Sequence, residues 1–356
     1  MKKFSRRTSR LVPVLVFVLL LLGALACGQS TPTQEPPPSA PTPPASQTQP
    51  PPEEPTSVPA AAATPTDTAV PTPAPTDTPE PEARHLGDVL EDKGYLLCAL
   101  AVEDPATRPG LFYEAEAGKK LVAVQFIVGN VSGETMSSNV LYATLVDSDG
   151  FAYGADSGIV EDSIELLDVG PGEKVRGWAG FIVPEGSIPA SLKYEVSARA
   201  AQTLQVGLAK PEGPVQEPAF VYSPDGGLPR LGEVAEGFGY SLSVSTVEDP
   251  ATRPGIFYRP EPGKKLVGVE FIVGNVSGET ISSNVLYSTL IDAEGFLYGA
   301  ESGVVEDSIE LLDLNAGEKA KGWAGFILPD DSIPVSFRYQ ISARAAWPLQ
   351  VRLIAQ

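Results

Sequence analysis

From about residue 85 onward, the pattern of hydrophobic and polar positions has a period of two. In the stretch Lys120–Val128, Val122, Val124, Phe126 and Val128 fall on one face of a strand, while Leu121, Ala123, Gln125 and Ile127 fall on the other. Leu192, Tyr194 and Val196 alternate with Ser191, Lys193 and Glu195. Leu204, Val206 and Leu208 alternate with Gln205 and Gly207. Turn signals punctuate these runs at Gly129-Asn130-Val131-Ser132-Gly133, Asp149-Gly150 and Gly170-Pro171-Gly172. Short alternating runs between regular turns predict an antiparallel β-sandwich of about seven strands. One short segment, Val160–Asp168, is the only helix candidate.

The pattern occurs twice. Residues 102–209 align with 247–354 at a constant offset of 145 and without a gap, and 31 of the 108 paired positions differ. The similarity extends upstream, where Leu86-Gly87-Asp88-Val89 matches Leu231-Gly232-Glu233-Val234. Two copies of one domain follow, residues 85–210 and 230–356, each of ordinary domain size. In the Lys120–Val128 run the copies differ only at Ala123 (Gly268) and Gln125 (Glu270). Both positions lie on the second face, so the unchanged first face reads as core. Arg352 replaces Gly207, also on the expected outer face. Residues 211–229 form a Pro-, Gly- and Glu-rich linker with an aromatic patch at Phe220-Val221-Tyr222.

Ahead of the copies the pattern disappears. Residues 28–84 are dominated by Pro, Thr, Ser, Ala, Gln and Glu, contain no aromatic residue and have few apolar ones. Such a segment buries too little surface to offset its ordering entropy and reads as a disordered, extended stalk. Residues 1–27 open with Lys2, Lys3, Arg6 and Arg7 and continue as an apolar run from Leu11 to Ala26 broken only by Pro13. That is an export signal, and its run is shorter than the ~20 residues that span a bilayer. Its end, Leu22-Gly23-Ala24-Leu25-Ala26-Cys27, resembles the lipobox of bacterial lipoproteins. The resemblance implies lipidation of Cys27 and a membrane anchor through the N-terminal lipid.

Three motifs occur in order: Gly118-Lys119-Lys120-Leu121 leading to Asn130; Leu145-Val146-Asp147-Ser148-Asp149-Gly150-Phe151-Ala152-Tyr153; and Pro171-Gly172-Glu173 followed by Gly177-Trp178, Phe181 and Pro184. Together they resemble a telokin-like, immunoglobulin-fold domain of unknown function found in exported bacterial lipoproteins and related to secreted immunoprotective antigens. The resemblance implies an all-β fold of two tandem immunoglobulin-like sandwiches and a non-catalytic extracellular module.

Charge and residue inventory narrow the function further. The chain carries a formal charge of −20, and removal of Lys2, Lys3, Arg6, Arg7 and Arg10 with the signal gives −20 − 5 = −25. Such a protein repels nucleic acid and anionic headgroups, so nucleic-acid binding is excluded. The only histidine is His85, at the edge of the stalk, which removes Ser-His-Asp machinery and histidine-based zinc sites. No catalytic residue is assigned. Cys98 corresponds to Ser243 in the repeat, so no disulfide forms within a copy; it reads as a small buried hydrophobe.

The acidic cluster Asp156, Glu161, Asp162, Glu165 and Asp168 is retained as Glu301, Glu306, Asp307, Glu310 and Asp313. It is the one candidate metal set, for calcium, which takes several oxygen ligands from a flexible loop. The alternatives are a solvated acidic loop or a contact for a cationic partner. Asp147-Ser148-Asp149-Gly150 lacks the EF-hand spacing and reads as a hairpin turn. Trp178 and Trp323 read as sandwich-core residues rather than sugar platforms. Asn130-Val131-Ser132 and Asn275-Val276-Ser277 match a glycosylation sequon and read as turns.

The phrase Val-Glu-Asp-Pro-Ala-Thr-Arg-Pro-Gly at 102–110 and again at 247–255 is unchanged between copies. Local ion pairing and recent duplication account for it on one reading. On the other it is a partner-binding loop, with Glu103, Asp104, Arg108, Phe112 and Tyr113 in the first copy and Glu248, Asp249, Arg253, Phe257 and Tyr258 in the second. The sequence thus predicts a lipid-anchored envelope protein displaying two modules to an extracellular protein or glycan. Its alternatives are a calcium-binding module and a passive spacer.

Overall fold

The computed structural model describes residues 85–353 apart from 115, 198–199, 225, 260 and 342–347. The export signal, Cys27 and the stalk lie outside the described residues. The first copy contains β1 (Leu90–Asp92), β2 (Tyr95–Glu103), β3 (Lys119–Asn130), β4 (Met136–Ser137), β5 (Ala143–Asp147), β6 (Ala152–Gly154), β7 (Asp168–Val169), β8 (Lys174–Pro184), β9 (Pro189–Ser197) and β10 (Ala200–Gly207). The second repeats the series as β11 (Val234–Gly237), β12 (Tyr240–Glu248), β13 (Lys264–Asn275), β14 (Ile281–Ser283), β15 (Ser288–Asp292), β16 (Leu297–Gly299), β17 (Leu312–Leu314), β18 (Lys319–Pro329), β19 (Pro334–Tyr339) and β20 (Leu349–Arg352). All named strand pairs are antiparallel. The sheets run β1-β2-β3-β8 and β10-β9-β5-β6 in the first copy, β11-β12-β13-β18 and β16-β15-β19-β20 in the second. Each copy also has a two-stranded ribbon, β4-β7 or β14-β17. The fold is all-β, two sandwiches in tandem.

Alternation places the core where the sequence predicted it. Val122, Val124, Phe126 and Val128 are fully buried and meet Leu145, Leu192, Tyr194 and Val206 of the opposite sheet. The second copy builds an equivalent core around Val269, Phe271, Phe326, Phe337 and Tyr339.

Three expectations change. The second face of β3 is not an outer face, because Leu121, Ala123 and Ile127 are buried as well. Ala123 is covered by Val160 and Trp178, and Ile127 by Leu96, Cys98, Leu100 and, from the second copy, Phe296. Val160–Asp168 is not a helix but an extended strap across β8, with Ser163 bridged to Trp178 and Val160 to Pro109. The buried pair Val160 and Ile164 imitates a helical spacing of four, yet Asp162 between them has φ 51°, which no right-handed helix accommodates. Arg352 is buried, not outward, because the linker lies over it; its Nη2 donates to the Pro224 carbonyl at 3.4 Å.

Candidate functional site

The repeated nine-residue phrase leaves the end of β2 and folds back onto the strap. The Glu103 carboxylate accepts from the Thr107 backbone N–H and hydroxyl, both at 2.9 Å, and from Arg108 Nε at 3.0 Å. The Arg108 guanidinium then lies 4.2 Å from the centre of the Trp178 ring, with Nη1 3.6 Å from Asp162 on the strap. Asp104 pairs with Lys120 at 2.6 Å. The second copy repeats the set: Glu248 accepts from Thr252 and Arg253, Arg253 lies 4.1 Å over Trp323 and 3.6 Å from Asp307, and Asp249 pairs with Lys265. Burial opposes ionisation of Glu103, but the bonds from Thr107 and Arg108 outweigh it and hold the carboxyl below its ordinary range.

The final glycine is required by contact. Gly110 N donates to the Ile159 carbonyl at 2.9 Å, and a Cβ on Gly110 would stand 2.3 Å from the Gly158 oxygen; Gly255 meets Gly303 in the same way. The identity of the phrase in both copies therefore has an internal cause, since its polar side chains brace it against its own domain. What it presents outward is the next pair of residues. Leu111 is 98% exposed and Phe112 76%; Ile256 is 79% and Phe257 66%. Tyr113 and Tyr258 are half-buried.

The acidic sets do not converge. Asp156, bridged to Gly180 ahead of the strap, and Glu161 on it are exposed, Asp162 is used by Arg108 and by Lys264 at 2.9 Å, and Asp168 accepts from Ser137 at 3.1 Å and Gln340 at 3.2 Å. Glu165 accepts from Gly299 N–H of the second copy at 3.1 Å. In the second copy Glu301, Glu306, Asp307 and Glu310 are all exposed, and Asp313 accepts from Ser282 at 2.7 Å. Among the described residues no three His, Cys, Asp or Glu side chains are grouped to hold a metal ion.

The remaining candidates have structural places. Trp178 and Trp323 are buried beneath their arginines. Asn130 is buried, its amide donating to the carbonyls of Glu134 and Val169, so it closes a turn, as does Asn275. Asp147 ties its hairpin by accepting from Asp149 N, Phe151 N and Tyr153 OH. Cys98 is buried, and burial pushes its thiol up to about 11.

Sequence reasoning missed the residues that join the copies. A cleft of about 410 Å³ between them is lined by Trp178, Arg176, Glu165, Lys264, Tyr298 and Glu301. Beside it Lys174 Nζ donates to the Glu294 carbonyl at 2.8 Å, and Arg338 reaches from β19 to Glu173. The linker patch takes part: Phe220 packs edge-on against Phe296 at 6.0 Å, and Tyr222 N donates to Ala293 O at 3.0 Å. The available signal was partial: Arg176 (Lys321), Glu301 (Asp156) and Arg338 (Lys193) differ between the copies, whereas Glu165, Lys174, Glu173 and Phe296 match their counterparts.

Glu165 gives the cleft a pH dependence. Glu165 remains partly open to water, but desolvation of its carboxyl at the cleft, and then the charge of Glu301, push its pKa up. A carboxyl raised on folding adds stability below its unfolded pKa of about 4.3 and loses that contribution as pH rises. Glu165→Gln is expected to melt above the parent at pH 7, with the two melting temperatures converging as pH falls towards about 4. A gap between them that does not change with pH would refute this.

Residues 92–203, within the first copy, match the family described as a domain of unknown function (DUF4352). Among solved structures the chain is similar to MPT63, a secreted protein from Mycobacterium tuberculosis, at 16% identity over 36% of this chain and 99% of that one, TM-score 0.29. It is similar to the yjhA protein from Bacillus subtilis at 14% identity over 36% and 100%, TM-score 0.29. An uncharacterized β-sandwich protein from Clostridium difficile 630 aligns at 13% identity over 37% and 97%, TM-score 0.26. No curated protein matches the chain.

Proposed function

We propose that the chain is a non-catalytic lipoprotein of the cell envelope. Its two sandwiches, docked on each other, display a pair of apolar loop tips to an extracellular protein or glycan. The observation that carries the reading is the contrast within each repeated loop. A base fixed by ion pairs, a cation–π stack and glycine contacts supports two large apolar side chains, one standing in water and the other a largely exposed phenylalanine with one ring edge on Gly158 or Gly303. Rigid presentation lowers the ordering cost of binding, and two equivalent tips on one chain add avidity. The lipobox at Cys27 and the stalk support display at the membrane surface, with the tips held away from the lipid.

The test places a photo-crosslinking residue at Leu111 and, separately, at Ile256 in the full chain on living cells, with exposed Glu185 as control. Adducts of defined mass are expected from the first two positions, suppressed by the double substitution Phe112→Ser, Phe257→Ser. Labelling no different from Glu185 would leave the chain as a spacer.

A further inference from the structure

The second copy meets the first as a hairpin laid on a sheet face. The hairpin is β15-β16 with its turn at Asp292–Phe296; the face is the outer side of β2, β3 and β8. Phe296 lies among Leu96, Cys98, Leu100 and Ile127, with Arg176 4.4 Å from its ring centre. Lys174 N donates to the Gly295 carbonyl at 2.9 Å, and a Cβ on Gly295 would stand 2.8 Å from Gly172 O, so the turn must carry glycine to come this close. Each copy contributes a different surface. Contacts of this heterologous kind propagate head to tail unless something stops them. The same two surfaces recur unused at the ends of the pair: the hairpin β5-β6 of the first copy and the outer face of β12, β13 and β18 of the second.

The offset of 145 identifies what differs at those ends. Leu96, Cys98 and Leu100 correspond to Ser241, Ser243 and Ser245, and Leu297 corresponds to Ala152. Ile272 stands for Ile127, Gly150 for Gly295 and Phe151 for Phe296, while Lys321 stands for Arg176, Glu270 for Gln125 and Val146 for Ile291. Ser245 bonds Glu270, which pairs with Lys321 at 2.9 Å, so a bonded ion pair stands at the position where the first copy has Leu100 beside Gln125 and Arg176. At the other end Phe151 is 64% exposed, against 3% for Phe296.

We infer that the outer sheet face is a docking surface for the hairpin of another sandwich of its own kind, and that Ser241, Ser243, Ser245 and Ala152 end the series at two. Apolar side chains at these four positions re-create the socket and complete the knob, and a second copy of this chain becomes the partner. This stands independently of what the loop tips bind.

The test is sedimentation equilibrium over two decades of concentration. The full chain without its signal, Cys27 replaced by Ser, is compared with the same chain carrying Ser241→Leu, Ser243→Cys, Ser245→Leu and Ala152→Leu. The parent is expected to keep a one-chain mass, while the variant rises through dimer with concentration. Adding Phe151→Ser to the variant separates docking from general stickiness and is expected to restore the one-chain mass. Should the fourfold variant lose its cooperative melt, the pair Ser243→Cys and Ala152→Leu carries the same comparison. A folded variant that stays monomeric, association that survives Phe151→Ser, or a parent that already associates through Phe151 would each overturn the inference.

Discussion

Phe296→Ala is expected to cost about 3 kcal/mol in chemical denaturation, whereas Phe151→Ala, the same residue type at the equivalent position of the other copy, costs less than about 0.5. The difference comes from what surrounds each ring. Phe296 fills the junction between the copies, touching four apolar side chains of the first domain, with Phe220 at its edge and the Arg176 guanidinium over its face. Truncation removes that burial and leaves a void which the two rigid sheets close only in part. The figure sits at the lower end of the range for core phenylalanines because water reaches a junction more easily than a domain interior. Phe151 stands in solvent on a hairpin of the same design and has little to lose. Phe296→Ala is also expected to separate the unfolding of the two copies into distinct transitions, followed through Trp178 and Trp323 fluorescence. Equal losses from the two substitutions would show that the junction contributes no stability.

The junction also accounts for where the copies have diverged. Positions that brace the loop are shared, whereas the cores exchange apolar residues, as at Val183/Leu328 and Leu192/Phe337, and one turn changes from Gly170-Pro171 to Asn315-Ala316. Several that differ lie where one copy is covered and the other is not. Val146 is half-buried and its counterpart Ile291 fully buried; Ala152 is exposed and Leu297 buried; Lys193 is half-buried, while Arg338 is buried against the first copy. Each change in the second copy adds volume or hydrogen-bonding reach on the side that docks. The serines on its far face remove apolar surface where nothing docks.

The fold was legible in the sequence because a period of two assigns side chains to faces directly, and the unchanged face of Lys120–Val128 is the core. What covers the second face was not legible, since alternation distinguishes two faces without saying whether water, a strap or another domain lies over each. Ala123 and Ile127 read as outward and are buried for two different reasons, one local and one from a domain more than a hundred residues away. The strap misled through spacing alone. The repeated loop was found, but its internal bracing depends on Trp178 lying under Arg108, and no spacing in the sequence gives that contact. The correspondence of Cys98 with Ser243 was visible and excluded a disulfide; its physical meaning, an apolar socket in one copy and a polar face in the other, needed the neighbouring pairs Leu96/Ser241 and Leu100/Ser245 read on one strand face.

Glu173 and Arg338 supply the other large effect. Both side chains are buried, and the guanidinium of the second copy meets the carboxylate of the first. Glu173 also accepts from Gly170 N at 2.7 Å, and Arg338 Nη1 donates to the Asp168 carbonyl at 3.0 Å. Removing one partner of a buried pair leaves the other charge desolvated and uncompensated, so Glu173→Gln is expected to destabilise the chain by about 3 kcal/mol. The repeat provides the control. Glu318, at the equivalent position, is exposed, and its carboxylate accepts from Asn315 N of its own turn at 2.6 Å, so Glu318→Gln costs less than about 0.5 kcal/mol. Arg338→Met added to Glu173→Gln is expected to recover part of the loss, because a buried apolar pair replaces an isolated buried cation. A double-mutant cycle by denaturant melts measures this directly. Additive losses would mean that the two groups are stabilised separately by their backbone partners and that the ion pair does not hold the copies together.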